Sequence, residues 1–164
     1  MRKVTLGNYR ADPYYPRVVR AVNEILSEGH VVAPIDVFTR MELLSAEDLE
    51  NWRFGRVPYL ERCIRCNLSK AERVLRLLRL YAEASGLKAS HTAYRRWGKG
   101  PKQPLQFSRF GHPRLEGFYS THFIRPGRGP ATTGHAETPS SPSLPSAPRN
   151  TTEAHTSPED DIPI

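Results

Sequence analysis

From Pro58 to Gly86 the apolar positions keep helical spacing over the longest stretch of the chain. Wound at about 100° per residue, Leu60, Ile64, Ala71, Val74, Leu75, Leu78 and Ala82 share one face. Arg62, Arg65, Arg73, Arg76 and Arg79 share the opposite one. The pattern predicts a long amphipathic helix opened by Pro58, whose fixed φ suits a first turn. Asn67 and Ser69, with Glu72 downstream, also read as a fresh N-terminal cap, placing a break near residue 68. The unbroken phase of the apolar face favours one helix, or two nearly coaxial ones.

Upstream, Val18, Val22, Ile25 and Leu26 predict a first helix over about residues 16–28, entered through Tyr15-Pro16 and closed by Gly29. His30-Val31-Val32 reads as an extended connector. Pro34 opens a second helix that buries Ile35, Phe38, Met41 and Leu44. Ser45 with Asp48 marks the start of a third over 46–54, anchored by Trp52 and Phe54 and ended at Gly55. This pair has the outline of a helix-turn-helix, but Glu47, Asp48 and Glu50 stand where phosphate would lie, so ordinary helical packing is preferred.

After Gly86 the period turns to alternation. Ser90–Trp97 and Pro104–Phe110 flank GKGPKQ, which predicts a β-hairpin with a long loop. Arg114–Phe118 fits a single helical turn, and Tyr119–Ile124 a third strand. The expected fold is therefore α+β: N-terminal helices around one long amphipathic helix, then a small antiparallel sheet, all within a domain spanning 1–126. From residue 127 to 164, Pro, Ser and Thr make up 18 of 38 residues before a terminal Glu159-Asp160-Asp161, a composition that predicts a disordered acidic tail.

Charge sharpens this picture. Residues 1–50 carry a net −2, residues 51–126 a net +12 and residues 127–164 a net −3. A basic block of that size is the footprint of a protein that meets nucleic acid or another polyanion. The N-terminus has no apolar run of signal-peptide length and no later segment approaches a membrane span, so a soluble cytoplasmic protein with no membrane partner is expected. Two cysteines three apart are no basis for a secreted disulfide framework.

Cations and aromatics interleave along the hairpin: Tyr94, Arg95, Arg96, Trp97, Lys99, Lys102, Phe107, Arg109 and Phe110, with no acidic residue between Lys88 and Glu116. Cations neutralise phosphate and aromatic faces stack on bases, so this mixture suits single-stranded nucleic acid. The expected binding residues are Tyr94, Arg95, Arg96, Trp97, Lys99, Lys102 and Arg109. The competing reading packs Tyr94, Leu105 and Phe107 on the long helix and leaves the cations to keep the tip soluble. Register decides between them, and sequence alone does not fix register.

Other chemistry is thinner. The arginine stripe of the long helix is compensated by Glu61 before Arg65, Glu72 before Arg76 and Glu83 after Arg79, leaving Arg62 and Arg73 least neutralised. Cys63 and Cys66 form a C-x-x-C inside a predicted helix, without the preceding strand a redox motif needs or further zinc ligands at a readable spacing. No metal or other cofactor is expected. A third strand would bring His91 and His122 together, as in a metal-independent ribonuclease, but His91-Thr92 and Thr121-His122 run in opposite order and do not repeat a two-histidine motif.

VPYLERCIRCNLSK and the region from TAYRRWGKG to FYSTHF, within about residues 30–125, resemble segments of a group of uncharacterised bacterial proteins. That resemblance implies a bacterial cytoplasmic origin and a domain ending near Pro126, and it brings no activity or site residue. The expectation is a small non-enzymatic nucleic-acid-binding accessory protein without catalytic residues. The alternatives are an interaction module for an acidic protein partner and a small ribonuclease.

Overall fold

Residues 3–127 are described by the computed structural model. A 3-10 turn at Tyr9–Ala11 leads into helix α1 (Tyr15–Glu28), the two-residue strand β1 (Val31–Val32) and helices α2 (Pro34–Arg40) and α3 (Ala46–Arg53). A second 3-10 turn (Leu60–Arg62) precedes helix α4 (Leu68–Ala84). Strand β2 (Lys88–His91), helix α5 (Pro113–Ser120) and strand β3 (Thr121–Ile124) complete the fold. The architecture is α+β. The expected tail from residue 127 onward lies outside the described residues, apart from Gly127 itself.

The helical layer is built on apolar stripes. α1 buries Val18, Ala21, Val22, Ile25 and Leu26 and packs against α2 and α4. α2 contributes Ile35, Val37 and Phe38. Ser45 caps α3 as expected, its Oγ accepting from the Asp48 N–H at 3.1 Å. Trp52 is fully buried on α3, whereas Phe54, the other expected anchor, is only half-buried.

The long helix expected over Pro58–Gly86 is broken. Its apolar face is buried as the spacing predicts, from Leu60 and Ile64 through Ala71, Val74, Leu75, Leu78 and Ala82, but its first third is not α-helical. There the backbone donors find partners elsewhere: Leu60 N–H bonds Gln106 O at 3.1 Å, Glu61 N–H bonds Phe107 O at 2.9 Å and Arg65 N–H bonds Leu43 O at 2.7 Å. The helix restarts at the second of the two readable signals, where Asn67 Oδ1 accepts from the Lys70 N–H at 2.8 Å.

The sheet is antiparallel with order β1-β3-β2. β3 pairs Val31 with Ile124 on one side and Lys88 with Ile124 through His91 with Thr121 on the other. The segment expected to be a connector is thus an edge strand. The expected hairpin shrinks to a narrow neck: one bridge, Arg95 to Pro104, flanked by Arg96 N–H to Gln103 O at 2.8 Å and Leu105 N–H to Tyr94 O at 2.9 Å. Pro104 offers no N–H to extend the ladder. Beyond it, the N–H groups of Phe107 and Ser108 bond the Glu116 carboxylate at 3.0 and 2.7 Å. Those donors are spent on a side chain of α5, so no second hairpin strand forms.

Candidate nucleic-acid interface

Under the hairpin neck lies an aromatic core. Trp52 and Phe107 have ring centroids 5.0 Å apart, Tyr94 meets Phe107 edge-on at 5.1 Å, and Phe107 stacks on Tyr119 at 5.3 Å. Trp52 Nε1 donates to Gln106 O at 2.8 Å, fixing the returning chain to α3. Tyr94 is 5% exposed, and Phe107 is buried with it. This corrects the expectation for Tyr94: a ring inside the core cannot stack on a base. The Tyr94 hydroxyl instead hydrogen-bonds His122 Nε2. Burial drives the phenol well above its usual range, so it stays protonated. The other ring nitrogen, His122 Nδ1, is hydrogen-bonded to Thr92 Oγ1 at 3.1 Å.

Above this core the end of α3 and the hairpin neck interlock. Arg53 is buried, with its guanidinium 4.4 Å from the Tyr94 ring centre and 5.0 Å from that of Trp97. Desolvation pushes the guanidinium below its ordinary pKa. Trp97 N–H bonds Arg53 O at 2.8 Å, and Arg96 Nε donates to Phe54 O at 2.9 Å. Between them Gly55 sits at φ +71°, and a Cβ there would stand 3.0 Å from Arg96 Cδ. The positive φ favours glycine, and any larger residue would have to push the Arg96 stem aside.

The outcome is a half-buried aromatic pair, Phe54 and Trp97, edge-to-face at 5.8 Å. Exposed Arg56 lies over Phe54 at 5.0 Å, and exposed Arg96 is joined to Phe54 through its carbonyl. Along the loop, Arg95 donates to Lys102 O at 3.1 Å and Lys102 Nζ to Gly98 O at 3.0 Å, while Lys99 is exposed. A carbonyl acceptor orients a cation without cancelling its charge. Among the described residues none of Arg56, Arg95, Arg96, Lys99 and Lys102 forms an ion pair with a carboxylate. Phe54 and Arg56 are the members that sequence reading missed. Their signal was the α3 terminator at Gly55, which puts the residues on either side of it at the surface.

Arg109 has different surroundings. Its N–H bonds Glu61 Oε2 at 3.2 Å, and its guanidinium lies 5.2 Å over the ring of Phe110.

Other expectations about charge are redrawn. Arg73 is not among the least neutralised; it is paired with Asp12 in the most buried ion pair among the described residues. Arg65 meets Asp48 at 3.6 Å rather than Glu61, and of the expected helix-surface pairs Arg79 with Glu83 forms, at 2.9 Å. Arg62 is exposed.

The histidines do not assemble a catalytic pair. Ser90 faces His122 and His91 faces Thr121 across the β2–β3 ladder, which puts the two imidazoles on opposite faces of the ribbon. His91 Nδ1 hydrogen-bonds Ser120 Oγ at 3.2 Å. Cys63 and Cys66 are free, half-buried and packed on the core, not helical, and desolvation raises both thiols above their usual pKa, the wrong direction for a reactive thiolate. Among the described residues no three His, Cys, Asp or Glu side chains gather in a metal-binding group, and no helix is long and apolar enough to cross a membrane. An open cavity of about 670 Å³ lies along the outer face of α1, between Tyr15 and Ser27, away from the residues singled out above; its charged groups, Arg20 and Glu24, bond each other at 2.9 Å.

Comparison of the chain with protein-family models, with curated proteins and with solved structures gave no match.

Proposed function

We propose that this protein is a non-enzymatic accessory factor that binds single-stranded RNA or DNA in the cytoplasm. The observation that carries the reading is the exposed edge of the Phe54–Trp97 pair set among Arg56, Arg95, Arg96, Lys99 and Lys102. Charge draws in a phosphate backbone, the loop's internal hydrogen bonds hold the cations in place, and a base stacks on the half-buried rings. Of the two aromatic residues expected to bind, Trp97 supplies the stacking face, since Tyr94 is buried.

The test is titration of the full chain into labelled single-stranded RNA and DNA over a salt series, with the RNA inspected on a gel. Affinity should fall steeply with salt. Arg95→Ala and Lys99→Ala should each reduce the slope of log K against log salt by about 0.7, and the RNA should stay intact. Absence of binding at low salt, or binding indifferent to salt, would sink the reading. RNA cleavage would return the function to a ribonuclease.

A further inference from the structure

Phe110 is the most exposed large apolar residue among those described, at 85%. Its loop is not loose. The Glu116 carboxylate holds the N–H groups of Phe107 and Ser108, and accepts from Ser108 Oγ at 2.6 Å. Glu61 holds the Arg109 N–H, Gln106 Nε2 donates to Ser108 O at 2.6 Å, and Gly111 reverses the chain at φ +61° with its N–H on Ser108 O at 3.2 Å. A mobile loop can fold its phenylalanine against the body. This one is hydrogen-bonded on both sides of Phe110 and keeps the ring in water.

Such pre-organisation removes the ordering cost that a binding residue otherwise pays on association. The surroundings indicate what is bound. Arg109 covers one face of the ring, and His112 and Arg114 are exposed close by in sequence. The two carboxylates that reach the loop, Glu61 from the second 3-10 turn and Glu116 from α5, are turned onto its backbone N–H groups. The outward side is therefore cationic and aromatic.

We infer that the 108–112 loop is a second contact for the same single strand, with Phe110 stacking on an unpaired base and the Arg109 guanidinium reaching the adjoining phosphate. This rests on the single-strand reading above and adds to it a requirement for an unpaired base at a site of its own. A duplex, whose bases are already stacked, has no face to offer Phe110.

The experiment compares the wild-type chain with Phe110→Ala and Phe110→Trp on a single-stranded oligonucleotide and on its duplex, at one salt concentration. Phe110→Ala should weaken single-strand binding about tenfold and leave duplex binding and the thermal midpoint unchanged, and Phe110→Trp should restore the single-strand affinity. Equal single-strand affinity of wild type and Phe110→Ala overturns the inference and leaves the primary reading standing. Equal losses on single strand and duplex overturn it as well. Failure of the wild type to bind either nucleic acid at low salt removes both readings together.

Discussion

Glu61 shows how one side chain serves the fold at some cost. It was expected to compensate Arg65 on a helix surface; instead its oxygens accept from the Arg109 N–H and from the Tyr119 hydroxyl at 3.4 Å. Desolvation raises its pKa above the ordinary carboxylate value, outweighing the lowering from those two hydrogen bonds. A raised pKa means the folded chain holds this proton more tightly than the unfolded one. The associated stability is complete below the ordinary carboxylate range and is lost as pH rises through the raised value. Glu61→Gln removes the charge, keeps an acceptor for Arg109 and turns its amide toward the Tyr119 oxygen. The variant should therefore melt above wild type at pH 7, with the difference narrowing toward pH 4, as thermal unfolding at several pH values would show. A variant less stable than wild type at every pH would mean that the second carboxylate oxygen matters more than the buried charge.

Among the elements, those with repeating apolar stripes were readable: α1, α2, α3 and the body of α4 stand close to where the spacing places them. What escaped was decided by distant partners. The N–H groups of Leu60, Glu61 and Arg65 go to Gln106, Phe107 and Leu43, and the hairpin strand is dissolved by a carboxylate from α5; none of this leaves a periodic trace. β1, at two residues, is too short to show alternation. The candidate site divides in the same way. Its cations were legible as a run free of acids, and the competing reading turned Tyr94, Leu105 and Phe107 inward, as the structure has them; what the sequence did not show is that Tyr94 and Phe107 pack against Trp52 and Tyr119. The restart of α4 is a local signal with a measurable value. Asn67→Ala should cost about 1 kcal/mol in denaturant unfolding, and Asn67→Asp, which keeps the acceptor, much less. Equal losses would show that the capping oxygen is not what holds the start of the helix.

At the scale of the whole molecule, Asp12 and Arg73 join the N-terminal turn to α4 across the sequence. Asp12 also accepts from the Tyr14 N–H at 2.9 Å. The Asp12 side chain is 2% exposed, so deleting it removes a buried carboxylate from the largely buried Arg73 guanidinium and an acceptor from the Tyr14 N–H. Asp12→Ala should lose more than about 1 kcal/mol, whereas Glu24→Ala, which breaks an exposed pair with Arg20, should stay within about 0.5 kcal/mol. Chemical denaturation of both variants measures the contrast, and a small loss for Asp12→Ala would make the pair incidental to the fold.

The strand order carries a last consequence, for the sequence of events by which the chain reaches this state. β3 lies at the centre of the sheet and is its last strand to be synthesised. The helices close their own backbone hydrogen bonds within a few residues and can begin to form as they emerge from the ribosome, although α1 must still wait for α4 to pack against it. β1 and β2 must wait, with their edges unpaired, until residue 124 is available and the loop between Val31 and Ile124 closes. Sheet formation therefore waits on synthesis as far as residue 124. Any fragment ending before Thr121 retains helix-forming segments but leaves two strands with no partner, open to pairing with another chain.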